Sequence, residues 1–137
     1  KILLPNGLYL NYPNLTASYN AVQEKFFDFR YRPFETYVKE NDEDDDENPD
    51  GSHKLYGGLM TENVVQALAR IVVADQMREI ARELPIVSMT HDEVIAIAKE
   101  SEAEQAKEFM LTCMRKTPSW CESLPLNAEA EYGACYS

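Results

Sequence analysis

His91, Asp92 and Glu93 stand side by side in the stretch SMTHDEVIAI, between two short apolar runs. Adjacent carboxylates repel one another unless a cation or a proton compensates. A hard divalent ion such as magnesium takes oxygen ligands from one or two carboxylates and leaves positions open for phosphate. An imidazole beside them can donate to a phosphate or a sugar. The same triplet also reads as a plain polar turn, because tight turns favour Asp. By residue type alone both readings stand open.

A second acidic cluster is larger and chemically less pointed. Residues 40–50, ENDEDDDENPD, hold eight acidic and no basic residues. Asp46, Asn48, Asp50 and Gly51 match the first, third, fifth and sixth positions of a calcium-binding EF-hand loop. The twelfth position, which needs a bidentate Glu, is Gly57, and Pro49 interrupts the run. The segment over residues 40–51 therefore reads as a disordered, self-repelling loop. It also dominates the electrostatics. The chain carries a net charge of −11, and without this segment 16 acidic residues face 13 basic ones, a net of −3. A charge of −11 argues against a nucleic-acid partner, but that acidity belongs mostly to one loop.

The remaining reactive side chains are sparse. Cys113, Cys121 and Cys135 are odd in number and lack CxxC or CxxH spacing. This points to reduced intracellular thiols rather than a disulfide framework or a structural zinc site. With 137 residues, 45% of them hydrophobic, the chain is long enough for one domain with a core. No apolar run approaches the roughly 18 residues of a membrane span, and no leader pattern opens the chain. The first residue is Lys1 rather than Met, so the sequence reads as a piece of something longer.

The elements that must position the triplet can be read from periodicity. KILLPNGLYLNYPNL predicts a hairpin, with Asn6-Gly7 as a two-residue turn in which both central positions want positive φ. FFDFRYR alternates Phe27, Phe29 and Tyr31 with Asp28, Arg30 and Arg32, a strand with one buried face, bent or ended at Pro33. HKLYGG reads as the returning strand. From Thr61 the period changes to that of a helix, with Thr61 as N-cap and Pro85 closing it. Val64, Val65, Leu68, Ile71 and Val72 form its apolar face, and Asn63, Gln66 and Arg70 a polar one. IVSMT and VIAIA flank the triplet as short strands. Ser101 and Glu104 form a capping-box pattern that opens a second helix to about Lys116, with Ala103, Ala106, Phe109, Met110, Cys113 and Met114 as its stripe. LPLNAEAEYG reads as a last strand. The expected class is α+β, an antiparallel sheet of hairpins packed against two main helices.

Context narrows the chemistry. GGLMTENVVQALARIVVADQM, then IVSMTHDEVIAIAKESEAEQAKEFMLTCM, then PSWCESLPLNAEAEYGACY together resemble the C-terminal palm of family A DNA polymerases, the relatives of bacterial DNA polymerase I, and phage-type members most of all. LPNGLYLNYPNL also resembles the hairpin that follows the fingers in that family. The resemblance covers nearly the whole chain, 1–137, apart from a variable insert over residues 16–54.

The resemblance implies a role for each residue of the triplet. Asp92 would be one of two carboxylates that bind a catalytic magnesium pair, which clamps the attacking 3′-hydroxyl and the leaving pyrophosphate. Glu93 would support the metal or its waters, and His91 would touch the primer end. Thr61, Asn63, Gln66 and Arg70 would meet the primer–template minor groove. Partners would be primer–template DNA, a deoxynucleoside triphosphate and the remaining fingers, thumb and palm, in the cytoplasm of a bacterial or phage-infected cell.

The family's other metal-binding Asp, in a neighbourhood like DYSQIELR, is absent from this sequence, as is the fingers helix. The isolated chain is therefore expected to be inactive, a fragment or one product of a split gene. A second reading is a non-catalytic palm-like module that docks on a separate polymerase chain. A third, a stand-alone metal-dependent hydrolase, needs a further ligand cluster, and the only other histidine is His53. Open strand edges also make a homodimer an expectation.

Overall fold

The chain closes its first hairpin around Pro5-Asn6-Gly7. Strands β1 (Ile2–Leu3) and β2 (Tyr9–Leu10) pair antiparallel, with Ile2 opposite Leu10 and Leu3 opposite Tyr9. The turn differs from the expected two-residue form. The Gly7 amide donates to Leu4 at 2.9 Å, the Leu4 amide donates to Leu8 at 2.8 Å, and only Gly7 has a positive φ, 82°. Pro5 takes the first central position, where its fixed φ suits a turn, and Gly7 supplies the left-handed residue of a three-residue loop.

The computed structural model describes residues 1–32 and 52–135, apart from the side chains of Lys25 and Phe27. Pro33, the acidic segment 40–51 and the EF-hand-like positions Asp46, Asn48, Asp50 and Gly51 lie outside the described residues. Two compact units divide within the first helix, Lys1–Ala67 and Leu68–Ser137.

In the first unit a three-stranded antiparallel sheet has the order β3 (Thr16–Asn20), β4 (Lys25–Tyr31), β5 (His53–Leu55). The returning strand stands where HKLYGG places it, and β3 pairs along the region read as a variable insert. The predicted alternation of β4 is broken by a bulge. Thr16 faces Arg30 but Ser18 faces Phe27, and Asp28 takes φ 49°. One extra residue resets the side-chain period, so Phe29 is 40% exposed while Asp28 and Arg30 are half-buried and paired, Nε to Oδ2 at 3.2 Å. The expected buried face of Phe27, Phe29 and Tyr31 is corrected accordingly at Phe29.

Helix α1 spans Gly57–Ile80 and begins four residues before Thr61. The Thr61 hydroxyl donates back to the Gly57 carbonyl at 2.9 Å, a bond made inside a helix, so Thr61 is not the N-cap. Val65, expected on the apolar face, is 59% exposed.

The second unit buries Ile71, Val72 and Ile80 of α1 with Cys113 of helix α2 (Ala103–Met114). Strands β6 (Ile86–Thr90) and β7 (Glu93–Ala96) form a separate two-stranded antiparallel sheet. The expected capping box is not made. The chain turns from extended geometry at Lys99 (φ −68°, ψ 144°) into a 3₁₀ turn over Glu100–Glu102, which absorbs Ser101 before α2 starts. LPLNAEAEYG forms no strand. Leu124, Leu126, Ala128 and Ala130 alternate as half-buried residues, but no neighbouring strand pairs with them among the described residues. Instead Arg115 Nη2 donates to the Ala128 carbonyl at 2.8 Å. Alternation aligns one face of an extended segment, and a ladder still requires a partner. The class is α+β, with three small antiparallel sheets and two helices among the described residues. No described helix is long and apolar enough to cross a membrane.

Candidate functional site

The triplet sits at the tip of the β6–β7 hairpin. Thr90 faces Glu93 across the ladder, leaving His91-Asp92 as a two-residue loop, and Glu93 is the first residue of β7. His91 takes φ 55°, the left-handed region that two-residue hairpin loops require at their first central position. His is one of the few non-glycine residues that tolerates this geometry with modest strain. A bulge at Val87, between the Ile86–Ala96 and Ser88–Ile95 pairs, adds twist below the tip. Met89 and Val94 are the pair next to the Thr90–Glu93 closure and are half-buried.

All three residues of the triplet are exposed. Asp92 and His91 make no side-chain hydrogen bond or ion pair among the described residues, so the lone pairs of Asp92 face water. Octahedral oxygen coordination suits such a carboxylate, with waters and phosphate filling the other positions. No group of three or more His, Cys, Asp or Glu side chains able to hold a metal ion occurs among the described residues. Asp92 and Glu93 are adjacent exposed carboxylates at this tip.

Arg70 reaches this hairpin from α1. Its Nη1 donates to Met89 Sδ at 3.0 Å. Within the first unit the other predicted contacts are separate. Asn63 Nδ2 donates to the Tyr12 hydroxyl at 3.2 Å, and Gln66 Nε2 donates to Glu62 Oε1 at 3.2 Å. Asn63 is half-buried, whereas Gln66 and Thr61 are exposed. Thr61 is two residues from Asn63 and therefore emerges about 200° around the helix from it. The hairpin thus unites His91, Asp92 and Glu93 and receives Arg70. Thr61 does not share a side of the helix with Asn63.

Two partners give no signal in the sequence. Met89 is legible there only as an apolar strand residue, and a thioether is a weak acceptor with no pattern of its own. Tyr12 lies far from Asn63 along the chain, and only the fold joins them. Cys113 offers no nucleophile: burial pushes its thiol pKa up, Glu79 adds to the rise, and Lys116 opposes it.

No protein-family model, curated protein or solved structure matches this chain.

Proposed function

We propose that this chain is the C-terminal part of the palm of a family A DNA polymerase and takes part in template-directed addition of deoxynucleotides to a primer 3′ end. The observation that carries the reading is the His91-Asp92 loop at the tip of β6–β7, between the TENVVQALAR helix and the PSWCESLPL segment. A tight hairpin with a left-handed first residue holds an exposed carboxylate at a fixed point. That is what a metal ligand in nucleotidyl transfer requires.

In this reading Asp92 holds magnesium together with an Asp from the missing part of the palm. When bound, the metal pair stabilises the charge on the attacking and leaving oxygens. Glu93 orients ligand waters, His91 meets the primer end, and Asn63, Gln66 and Arg70 meet the primer–template. Thr61 has its hydroxyl proton committed to the Gly57 carbonyl, which leaves its oxygen lone pairs for DNA. The working compartment is the cytoplasm, where nucleotides and reduced thiols coexist.

The test mixes the purified chain with a chain carrying a DYSQIELR-like segment and follows primer extension with magnesium. The chain alone is expected to show none, and the mixture to extend the primer. Extension by the chain alone would sink the two-carboxylate account. A mixture that forms a complex yet stays inactive, with Asp92→Asn indistinguishable from wild type, would support the non-catalytic module instead.

A further inference from the structure

Three arginines of the second unit lie in or just after the C-terminal half of α1, and their partners differ. Arg78 pairs with Asp75 at 3.3 Å and Arg82 with Glu79 at 2.8 Å. Arg70 alone of these contacts no carboxylate among the described residues, and its hydrogen-bond partner is the Met89 sulfur at 3.0 Å. The chemical difference matters. A carboxylate orients a guanidinium and cancels its charge, whereas a thioether accepts a hydrogen bond and carries no charge of its own. Arg70 is therefore oriented while its full positive charge remains available.

The place of that charge is also defined. Met89 lies on β6 two residues before His91, and its ladder partner Val94 lies two residues after Asp92. The Arg70 guanidinium is thus fastened to the body of the same hairpin that carries the triplet at its tip. Its remaining N–H donors can address an anion that runs past the hairpin, and the planar fork suits phosphate oxygens.

We infer that Met89 is a positioning residue that holds Arg70 on the β6–β7 hairpin as a binding site for a backbone phosphate of duplex DNA. The inference rests on the polymerase reading, and it adds to that reading a residue and a phosphate contact. Met89 acts through Arg70 and does not itself meet the nucleic acid.

The test measures binding of a fluorescein-labelled primer–template to the full chain across a salt series. Wild type is compared with Arg70→Ala, Met89→Leu and Met89→Gln. Each phosphate contact contributes to the slope of log affinity against log salt, so losing one lowers the slope by about one. Arg70→Ala and Met89→Leu are both expected to show that loss. Met89→Gln keeps a neutral acceptor of similar reach and is expected to retain the wild-type slope. Urea unfolding of each variant checks the fold, and a slope change with an unchanged midpoint is the signature sought.

Several outcomes overturn the proposal. If Arg70→Ala lowers the slope but Met89→Leu leaves it unchanged, the positioning role is wrong and the polymerase reading stands. If both leave it unchanged while the chain binds duplex, Arg70 meets no phosphate. If inorganic tripolyphosphate is retained through Arg70 while the duplex slope is insensitive to it, the site takes nucleotide phosphates rather than a DNA backbone. If wild type fails to bind duplex at low salt, Arg70 forms no phosphate site on this chain and the inference falls, while the polymerase reading is decided by the mixing experiment.

Discussion

The side-chain amide of Gln76 in α1 donates to the main-chain carbonyl of Met114, 2.7 Å away, and to that of Lys116 at 3.3 Å. Gln76 is 5% exposed. One buried amide therefore closes the C-terminal end of α2, where a helix leaves its last carbonyls without partners inside the helix. A polar residue in the apolar part of α1 thus ties the two helices of the second unit together.

Gln76→Leu should destabilise the chain by about 1–3 kcal/mol, because the carbonyls of half-buried Met114 and exposed Lys116 would lose the buried amide donor. Gln76→Glu should cost at least as much near neutral pH, since a carboxylate cannot donate. Urea unfolding followed by circular dichroism measures both. A Leu variant as stable as wild type would show that water replaces the amide.

His91 provides a backbone test. Its φ of 55° is unfavourable for branched side chains. His91→Val should cost about 1–2 kcal/mol and speed amide exchange in β6 and β7. His91→Gly should leave stability within about 1 kcal/mol, since relief of strain offsets the extra freedom of the unfolded chain. Equal effects of Val and Gly would mean that the loop adopts another geometry in solution.

Asp92→Asn should leave the urea midpoint unchanged, because the exposed carboxylate has no protein partner among the described residues. If Asp92 holds magnesium as proposed, the same substitution should lower primer extension by the reconstituted mixture by several orders of magnitude. Full activity of the variant would overturn the proposed metal role of Asp92.

Cys113 is buried, Cys121 is half-buried and Cys135 is exposed, which sets an order of labelling by a thiol reagent, Cys135 first and Cys113 last. The raised pKa of Cys113 adds a pH dependence. The folded thiol keeps its proton at pH values where the unfolded thiol has lost it. Its contribution to stability is therefore complete below the unfolded pKa and declines as pH rises toward the folded one. Urea midpoints of wild type and Cys113→Ala, compared from neutral to alkaline pH, should converge as pH rises.

The helix over TENVVQALARIVVADQM was legible because its apolar period runs unbroken through Ile71 and Val72, which are buried. IVSMT and VIAIA were legible as strands because β-branched runs flank a polar pair, and β6 and β7 form there. Local signals failed wherever a competing bond or an extra residue intervened. Thr61 looks like a cap but lies inside the helix, Ser101 falls in a 3₁₀ turn, and Asp28 shifts the period of β4.

The candidate site divides in the same way. That His91, Asp92 and Glu93 would share a hairpin tip follows from their adjacency between two strands, since neighbours in a tight turn cannot separate. That Arg70 would lie against Met89, or Gln76 against Met114, depends on how the helices of the second unit fold back on distant segments. Residue spacing encodes contacts within a turn of helix or a two-residue loop. Contacts between residues 19 or 38 positions apart arise only when burial of the core brings the segments together. The sequence by itself determined the triplet and the elements that frame it, and the tertiary structure decided which side chains from elsewhere reach them.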